Sequence, residues 1–247
     1  MFSAEARSRV QGEILARARS DDRIVAGALV GSTAEGTDRW SDLDLTFGLA
    51  PGTDLEGVLA DWTEFMRREF GALVLFDLPH LSTIYRVFLL KGDLQVDLSF
   101  TPSREFGALG PRFKLLFGQS VERNWNQPPT QQSLLGHAVH HLLRARICIE
   151  RERLWQAEYW LSLGRGQALE LACVGHGVDA GNGRGFDKLP KGVLQRFEGT
   201  YPDPRDRHAL LSALGRTIDA LILLAKDVPG AKDLEGRLHV LKSDPLA

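Results

Sequence analysis

The pattern of apolar and polar positions predicts helices and strands together in the first half of the chain. Apolar residues recur at helical spacing in two segments, residues 3–19 and 54–70. Short apolar or alternating runs, which are typical of strands, occupy residues 24–31, 42–49, 72–78 and, as two strands around a Gly-containing turn, 82–100. We therefore expect a mixed β-sheet with helices in this half.

The pattern changes after a polar segment, residues 118–133, whose Pro128-Pro129 pair indicates a linker. Helical spacing then covers residues 131–163, 166–176, 188–198, 205–226 and 231–241. The predicted fold class is α+β, with a mixed-sheet domain over residues 1–127 and an all-α helical bundle over residues 128–247. The Gly-rich stretch 175–186 follows no strand and lacks the GxxxxGK[ST] pattern, so it is interpreted as an inter-helix loop.

Composition narrows the functional classes. Of the 247 residues 43% are hydrophobic and 25% charged, as in ordinary globular proteins. The formal net charge of −2 argues against nucleic acid as a partner, because its binders usually carry a basic excess. Cys148 and Cys173 lack CxxC spacing and indicate no disulfide framework. No apolar run suits a signal sequence or approaches the roughly 18 residues of a membrane span, so a reduced, cytoplasmic setting is expected.

Candidate chemistry begins with two aspartates, Asp42 and Asp44, in the alternating segment SDLDL. Side chains alternate across a strand, so both carboxylates lie on one face. Two such close carboxylates repel each other unless a cation lies between them. A hard divalent ion such as Mg²⁺ accepts a few carboxylates together with substrate phosphates. A solvated polar strand is the alternative interpretation.

A phosphate site is predicted just before these acids, at Gly31-Ser32. Glycine allows a close approach of the backbone, and Ser32 can begin a helix whose free N–H groups favour an anion. The same residues permit a purely structural interpretation, because Ser32 and Glu35 match the S-x-x-E capping box.

A third carboxylate, Asp97, occurs in the middle of the alternating strand LQVDLSF. An acid between apolar neighbours is costly unless its face is functional or solvated. If this strand pairs beside the strand that holds Asp42 and Asp44, three carboxylates converge. Such a group can hold two divalent ions, the arrangement used for in-line phosphoryl or nucleotidyl displacement.

Together, ALVGSTAEGTDRWSDLDLTF and LQVDLSF resemble the DNA polymerase β-like nucleotidyltransferase superfamily over about residues 22–100. The matched positions are Gly31-Ser32, Asp42-Leu43-Asp44-Leu45 and Asp97. The resemblance implies ATP or another nucleoside triphosphate as donor and two Mg²⁺ ions. It implies that Gly31 and Ser32 contact the donor phosphates and that Asp42 and Asp44 bind both ions. Asp97 would bind the ion that activates the acceptor hydroxyl, and pyrophosphate would leave.

A helical domain after such a catalytic domain is similar to the antibiotic nucleotidyltransferases, which adenylylate a hydroxyl of aminoglycosides or lincosamides. The resemblance implies a small hydroxylated acceptor and a monomer or homodimer. Two other hypotheses stay open: a macromolecular acceptor, such as tRNA or a protein hydroxyl in toxin-like relatives, and a non-catalytic nucleotide-binding protein.

Three further residues are candidates for roles in the site. Many relatives carry Arg or Lys after the Gly-Ser turn, where this chain has Glu35, so Arg39 or Lys188 is expected to supply the basic phosphate contact. Glu158, in the segment WQAEYW, could help to deprotonate the acceptor. The alternative for Glu158 is a salt bridge on an aromatic helix face packed into the core.

Overall fold

A computed structural model of the chain describes residues 1–31, 40–124 and 128–242. Contacts between backbone positions divide the chain into two compact units, Met1–Gln127 and Pro128–Ala247. The first unit combines a mixed sheet with helices, and the described part of the second unit is helical. The α+β class expected from the sequence is confirmed.

In the first unit, helices α1 (Ala4–Arg19) and α2 (Leu55–Phe70) accompany the strands of a single sheet. The strands are β1 (Ile24–Val30), β2 (Leu43–Leu49), β3 (Leu73–His80), β4 (Thr83–Leu89), β5 (Gln95–Pro102) and β6 (Phe113–Phe117). Local sequence sets the ends of α2. The Asp54 carboxylate accepts hydrogen bonds from the N–H groups of Glu56 and Gly57, and Gly71 ends the helix in the left-handed conformation.

The sheet places chain-distant segments beside each other. Its order is β3-β4-β5-β2-β1-β6 among the described residues, and only the central pair β2 and β5 is parallel. A parallel pair needs a long crossover. Here α2 and the β3–β4 hairpin provide it, so residues 50–94 all lie between the two central strands along the chain.

The two faces of the sheet differ in chemistry. Leu43, Leu45 and Phe47 of β2 lie on the face covered by the helices, where Trp62 of α2 packs 5.2 Å from Phe47 between ring centroids. The residues between them in sequence lie on the opposite face, which we call the site face. On it, β2 and β5 carry Asp44, Thr46, Asp97, Ser99 and Thr101.

The second unit contains the helices α3 (Gln131–Glu150), α4 (Leu154–Gly175), α5 (Lys191–Leu194), α6 (Arg207–Leu224) and α7 (Ala231–Lys242). One apolar core joins α3, α4, α6 and α7. Cys148 and Cys173 are buried in it with free thiols. The segment 175–186 forms the connection after α4, with a 3₁₀ turn at Gly181–Gly183, as the loop interpretation expected.

Three details of the predicted elements are wrong. The helical pattern predicted for 131–163 is broken at residues 151–153, where Glu152 has a φ of 55°, and the predicted gap after residue 163 lies inside α4. Gly164 is a packing residue, since a Cβ there would lie 2.8 Å from Leu142 Cδ2 of α3. Strand β6 was not predicted, because FKLLF leaves Lys114 and Leu115 exposed and shows no regular alternation of burial.

Candidate active site

Three carboxylates meet on the site face. Asp42 immediately precedes β2, Asp44 lies within β2, and Asp97 of β5 is the direct parallel partner of Asp44 in the register. Each of the three offers an oxygen within 4.8 Å of the others. The pairing of strands on which the sequence argument depended is present.

The electrostatics of this cluster suit a cation. Burial raises the pKa of Asp97, and the charge of Asp42 raises it further, against a hydrogen bond that Gln95 Nε2 donates over 3.0 Å. All three side chains are partly buried. Half-buried carboxylates at this spacing oppose one another's ionisation, and a divalent ion with oxygen ligands removes that opposition. The donor set therefore fits Mg²⁺ or a similar hard ion.

Gly31 lies directly beside the acids. Its φ is 62°, in the left-handed region that favours glycine. A side chain at this position would collide with Asp44 Oδ2, so the carboxylate occupies the space that a Cβ would need. The glycine predicted for phosphate binding thus also has a structural reason, which is the placement of Asp44. Ser32, Glu35 and Arg39 lie outside the described residues.

Glu158 lies in α4 of the second unit. One carboxylate oxygen, Oε1, is 3.4 Å from Arg165 Nη2, and the other, Oε2, is buried without a hydrogen-bond partner among the described residues. The predicted salt bridge is present. The aromatic face predicted with it is not in the core, because Trp155 is 73% and Tyr159 59% exposed. Only Trp160 of this group is partly buried.

Lys188 is exposed and ends the 3₁₀ turn Phe186–Lys188 in the second unit. Its predicted contact with phosphate stays a prediction.

The sequence argument missed the polar residues that continue the acidic row. Thr46 follows Asp44 by two positions, Ser99 follows Asp97 by two, and the pair is again in register. Tyr85 of β4 lies opposite Ser99 on the other side. The signal was the same alternation that identified the acids, followed for one more step along DLTF and DLSF.

Comparison with known proteins gives little independent information. No family profile matches the chain, and no curated protein sequence matches it. No helix in the described part of the chain has the length and apolar character of a membrane span. Among solved structures, the chain is similar to an aminoglycoside 6-adenyltransferase from Bacillus subtilis, with 16% identity over 98% of this chain and 99% of that one. The TM-score is 0.41, which is too low to carry an argument about activity.

Proposed function

We propose that the protein is a divalent-metal-dependent nucleotidyltransferase that moves a nucleoside monophosphate, AMP from ATP, to a hydroxyl of a small molecule. The observation that carries this proposal is the register of the central strands, which aligns Asp44 with Asp97 and brings Asp42 within reach of both. A group of three carboxylates beside a glycine turn is the arrangement expected of a site that binds metal ions and a triphosphate together.

Asp42, Asp44 and Asp97 would hold two Mg²⁺ ions, which supply charge neutralisation for the donor phosphates and a lower pKa for a nearby hydroxyl. Gly31 would let the backbone approach the donor phosphates, with Ser32 as a second contact. Arg39 and Lys188 are proposed as basic contacts to the same phosphates. These residues would bind and orient the donor, which lowers the entropic cost of bringing the reacting groups together.

In the proposed reaction, the acceptor oxygen forms a bond to the α-phosphorus while the bond from that phosphorus to the bridging oxygen breaks. Pyrophosphate leaves with the electron pair of the broken bond. The proton of the acceptor hydroxyl goes to Glu158, whose Oε2 has no hydrogen-bond partner among the described residues. A carboxylate in this role is a general base, and such a group must lie within hydrogen-bond reach of the proton it takes.

The test is pyrophosphate release with ATP, Mg²⁺ and a panel of hydroxylated acceptors, including aminoglycosides and lincosamides. We expect turnover in the wild type and none in Asp42→Asn. Asp93→Asn is the matched control, since Asp93 is an exposed residue of the β4–β5 turn, where Asn also suits its φ of 64°. Equal turnover in Asp42→Asn and the wild type would exclude the proposal.

Two outcomes would replace it with the other hypotheses. Transfer of labelled nucleotide to protein or RNA in an extract, with none to small acceptors, would identify a macromolecular substrate. Binding of a nucleotide analogue with no pyrophosphate release under any acceptor condition would identify a non-catalytic nucleotide-binding protein. Light scattering in solution separates the monomer from the homodimer.

A further inference from the structure

A cavity of about 130 Å³ opens on the site face next to the acids. It begins where the acidic row ends, at Thr46 and Ser99, so at roughly 3.3 Å per residue it starts about 7 Å along the strands from Asp44 and Asp97. Its other polar and charged lining residues are Thr83, Tyr85, Thr101, Glu105, Arg112 and Arg123. The cavity and the acids therefore belong to one continuous surface of the first unit.

Hydroxyl residues line the cavity on the side of the sheet. Ser99 is only 2% exposed and lines the cavity beside Thr46. The buried hydroxyls of Thr83 and Thr101 lie 2.8 Å apart and satisfy each other. A polar ligand atom that enters the cavity would meet the Ser99 hydroxyl, which can both donate and accept a hydrogen bond.

The volume limits what can enter. A cavity of about 150 Å³ in another protein holds one benzene molecule, so about 130 Å³ accommodates one six-membered ring and not a multi-ring molecule. Thr46, Ser99 and Tyr85 are neighbours in register on three adjacent strands, and each carries a hydroxyl. Burial raises the pKa of Tyr85, so its phenol stays protonated and can donate a hydrogen bond. This lining matches a hydroxylated ring.

The charged groups of the lining determine the sign of charge that the ring can carry. The cavity lining includes the Arg123 guanidinium and one carboxylate, that of Glu105. That carboxylate already accepts hydrogen bonds from Ser82 and Arg104. An ammonium group on the ring would find no carboxylate in the cavity lining that is not already engaged. An anionic group would meet the Arg123 guanidinium, and such groups bind carboxylates and phosphates well.

From the lining and its charge we infer that this cavity is a subsite for one ring of the acceptor, and that the ring is a hydroxylated six-membered ring with an anionic substituent, such as a sugar acid or a sugar phosphate. The inference rests on the proposed nucleotidyl transfer, because the acids beside the cavity would then supply the donor. It predicts that the acceptor is not a sugar with several amino groups. Arg123, whose Nη1 donates to the Glu105 carbonyl over 3.0 Å, is held at the cavity as the anion contact.

The test is equilibrium binding of glucuronate, glucose 6-phosphate, glucose and glucosamine to the full chain, with Mg²⁺ and a non-hydrolysable ATP analogue present. We expect both anionic sugars to bind about tenfold or more tightly than glucose, the scale of a charge-assisted hydrogen bond. Glucosamine should bind more weakly than glucose. If glucosamine binds as tightly as glucuronate, or if none of the four binds, the inference is wrong.

Variants connect that preference to the cavity. Arg123→Gln should remove the preference for the anionic sugars, and Ser99→Ala should weaken every sugar about two- to tenfold. Arg67→Gln is the control, since this arginine is exposed and outside the lining. Melting curves check that each variant is folded. Should Arg123→Gln and Ser99→Ala, both folded, bind the four sugars as the wild type does, the cavity is not the subsite.

The outcome for the subsite is separate from the outcome for the proposed function. Anionic sugars that bind through Arg123 but give no pyrophosphate release would support the subsite and count against nucleotidyl transfer. Pyrophosphate release with aminoglycosides but without binding of anionic sugars would support nucleotidyl transfer and overturn the subsite.

Discussion

Asp44 and Asp97 are direct partners in the parallel pair β2–β5, although α2, β3 and β4 separate them along the chain. Neither strand alone carries the site. Asp42 completes the cluster from the residue before β2, and the three offer oxygens within 4.8 Å of one another. The relationship makes the acid cluster a property of the tertiary fold, and its energetics can be measured through folding as well as through activity.

Asp97→Asn should reduce the stabilisation that Mg²⁺ gives to the wild type. A ligand that binds only the folded state at a hundred times its Kd stabilises it by about 2.7 kcal/mol, so the wild type should melt at a higher temperature with Mg²⁺ than with a chelator. The difference between the two melting temperatures should be smaller in the variant, because one of the three carboxylate ligands is lost. Turnover should fall by more than about 100-fold, since even residues behind metal ligands cost 10- to 100-fold when changed.

Without metal, an ionised Asp97 should destabilise the folded protein and not contribute to its stability. The folded pKa of Asp97 is raised above the ordinary 3.8, so the folded state holds this proton more tightly than the unfolded state. Its contribution to stability is complete below pH 3.8 and is lost as the pH rises through the folded pKa. At neutral pH without metal, Asp97→Asn should be at least as stable as the wild type, which denaturant titration measures. A clearly less stable variant under those conditions would contradict this account.

Gly31→Ala should damage both stability and activity. The left-handed φ of 62° costs an alanine about 1–2 kcal/mol, and the added Cβ would displace the Asp44 carboxylate. Gly52→Ala separates the two effects. Its φ is 79°, but nothing lies within 4 Å of the added Cβ. The backbone strain should therefore lower the melting temperature of both variants by a similar amount. Pyrophosphate release should fall only in Gly31→Ala. Equal activity in the two variants would mean that Gly31 does not position Asp44.

Asp21→Asn should destabilise the first unit and change its acid sensitivity. Asp21 is buried, accepts two hydrogen bonds from the Arg23 guanidinium at 2.9 Å and one from Trp62 Nε1, and the Arg23 interaction lowers its pKa. The contribution of the ionised Asp21 to the stability of the folded state is present above pH 3.8. It is lost as the pH falls through the pKa of Asp21 in the folded state, which lies below 3.8. We expect a loss of about 1.5–3 kcal/mol in urea unfolding at pH 7, and a smaller loss in acid. The exposed neighbour Asp22 gives the control, Asp22→Asn, which should change neither value.

Glu158→Gln tests the proposed proton acceptor. If Glu158 takes the acceptor proton, kcat should fall about 100- to 10,000-fold with little change in KM. Glu170→Gln is the matched control, because Glu170 is a carboxylate of the same helix and no role in transfer is proposed for it. Normal kcat with a lower melting temperature would leave Glu158 as the salt-bridge partner of Arg165 alone.

The sequence predicted what depends on local pattern. Alternation located β2 and β5, and it placed Asp44 and Asp97 on faces that the fold brings together. It could not reveal that the two strands are adjacent and parallel, because that depends on the crossover through residues 50–94. Helix ends were predicted poorly where a tertiary contact decided them. Gly164, which resembles a helix breaker, is an interior helical residue packed against Leu142, and an exposed Glu152 with positive φ forms the real break.

Thr46 and Ser99 show a different limit of prediction from sequence. Alternation places Ser99 on the same face as Asp97, but nothing in the sequence shows that Ser99 is buried and not a solvated serine. Tyr85 on β4, Phe106 after β5 and Arg123 after β6 line the same cavity. A residue whose importance comes from what surrounds it is visible only in the structure.

The crossover between β2 and β5 also affects when the acids meet during folding. The pair is non-local, and loop-closure entropy opposes such contacts until the intervening chain is ordered. The carboxylates of Asp44 and Asp97 are therefore far apart in the unfolded chain and repel each other only once β2 and β5 have paired. A chain built in this way delays the mutual repulsion of its acids until that pairing, which is also when a cation can first bind to all three.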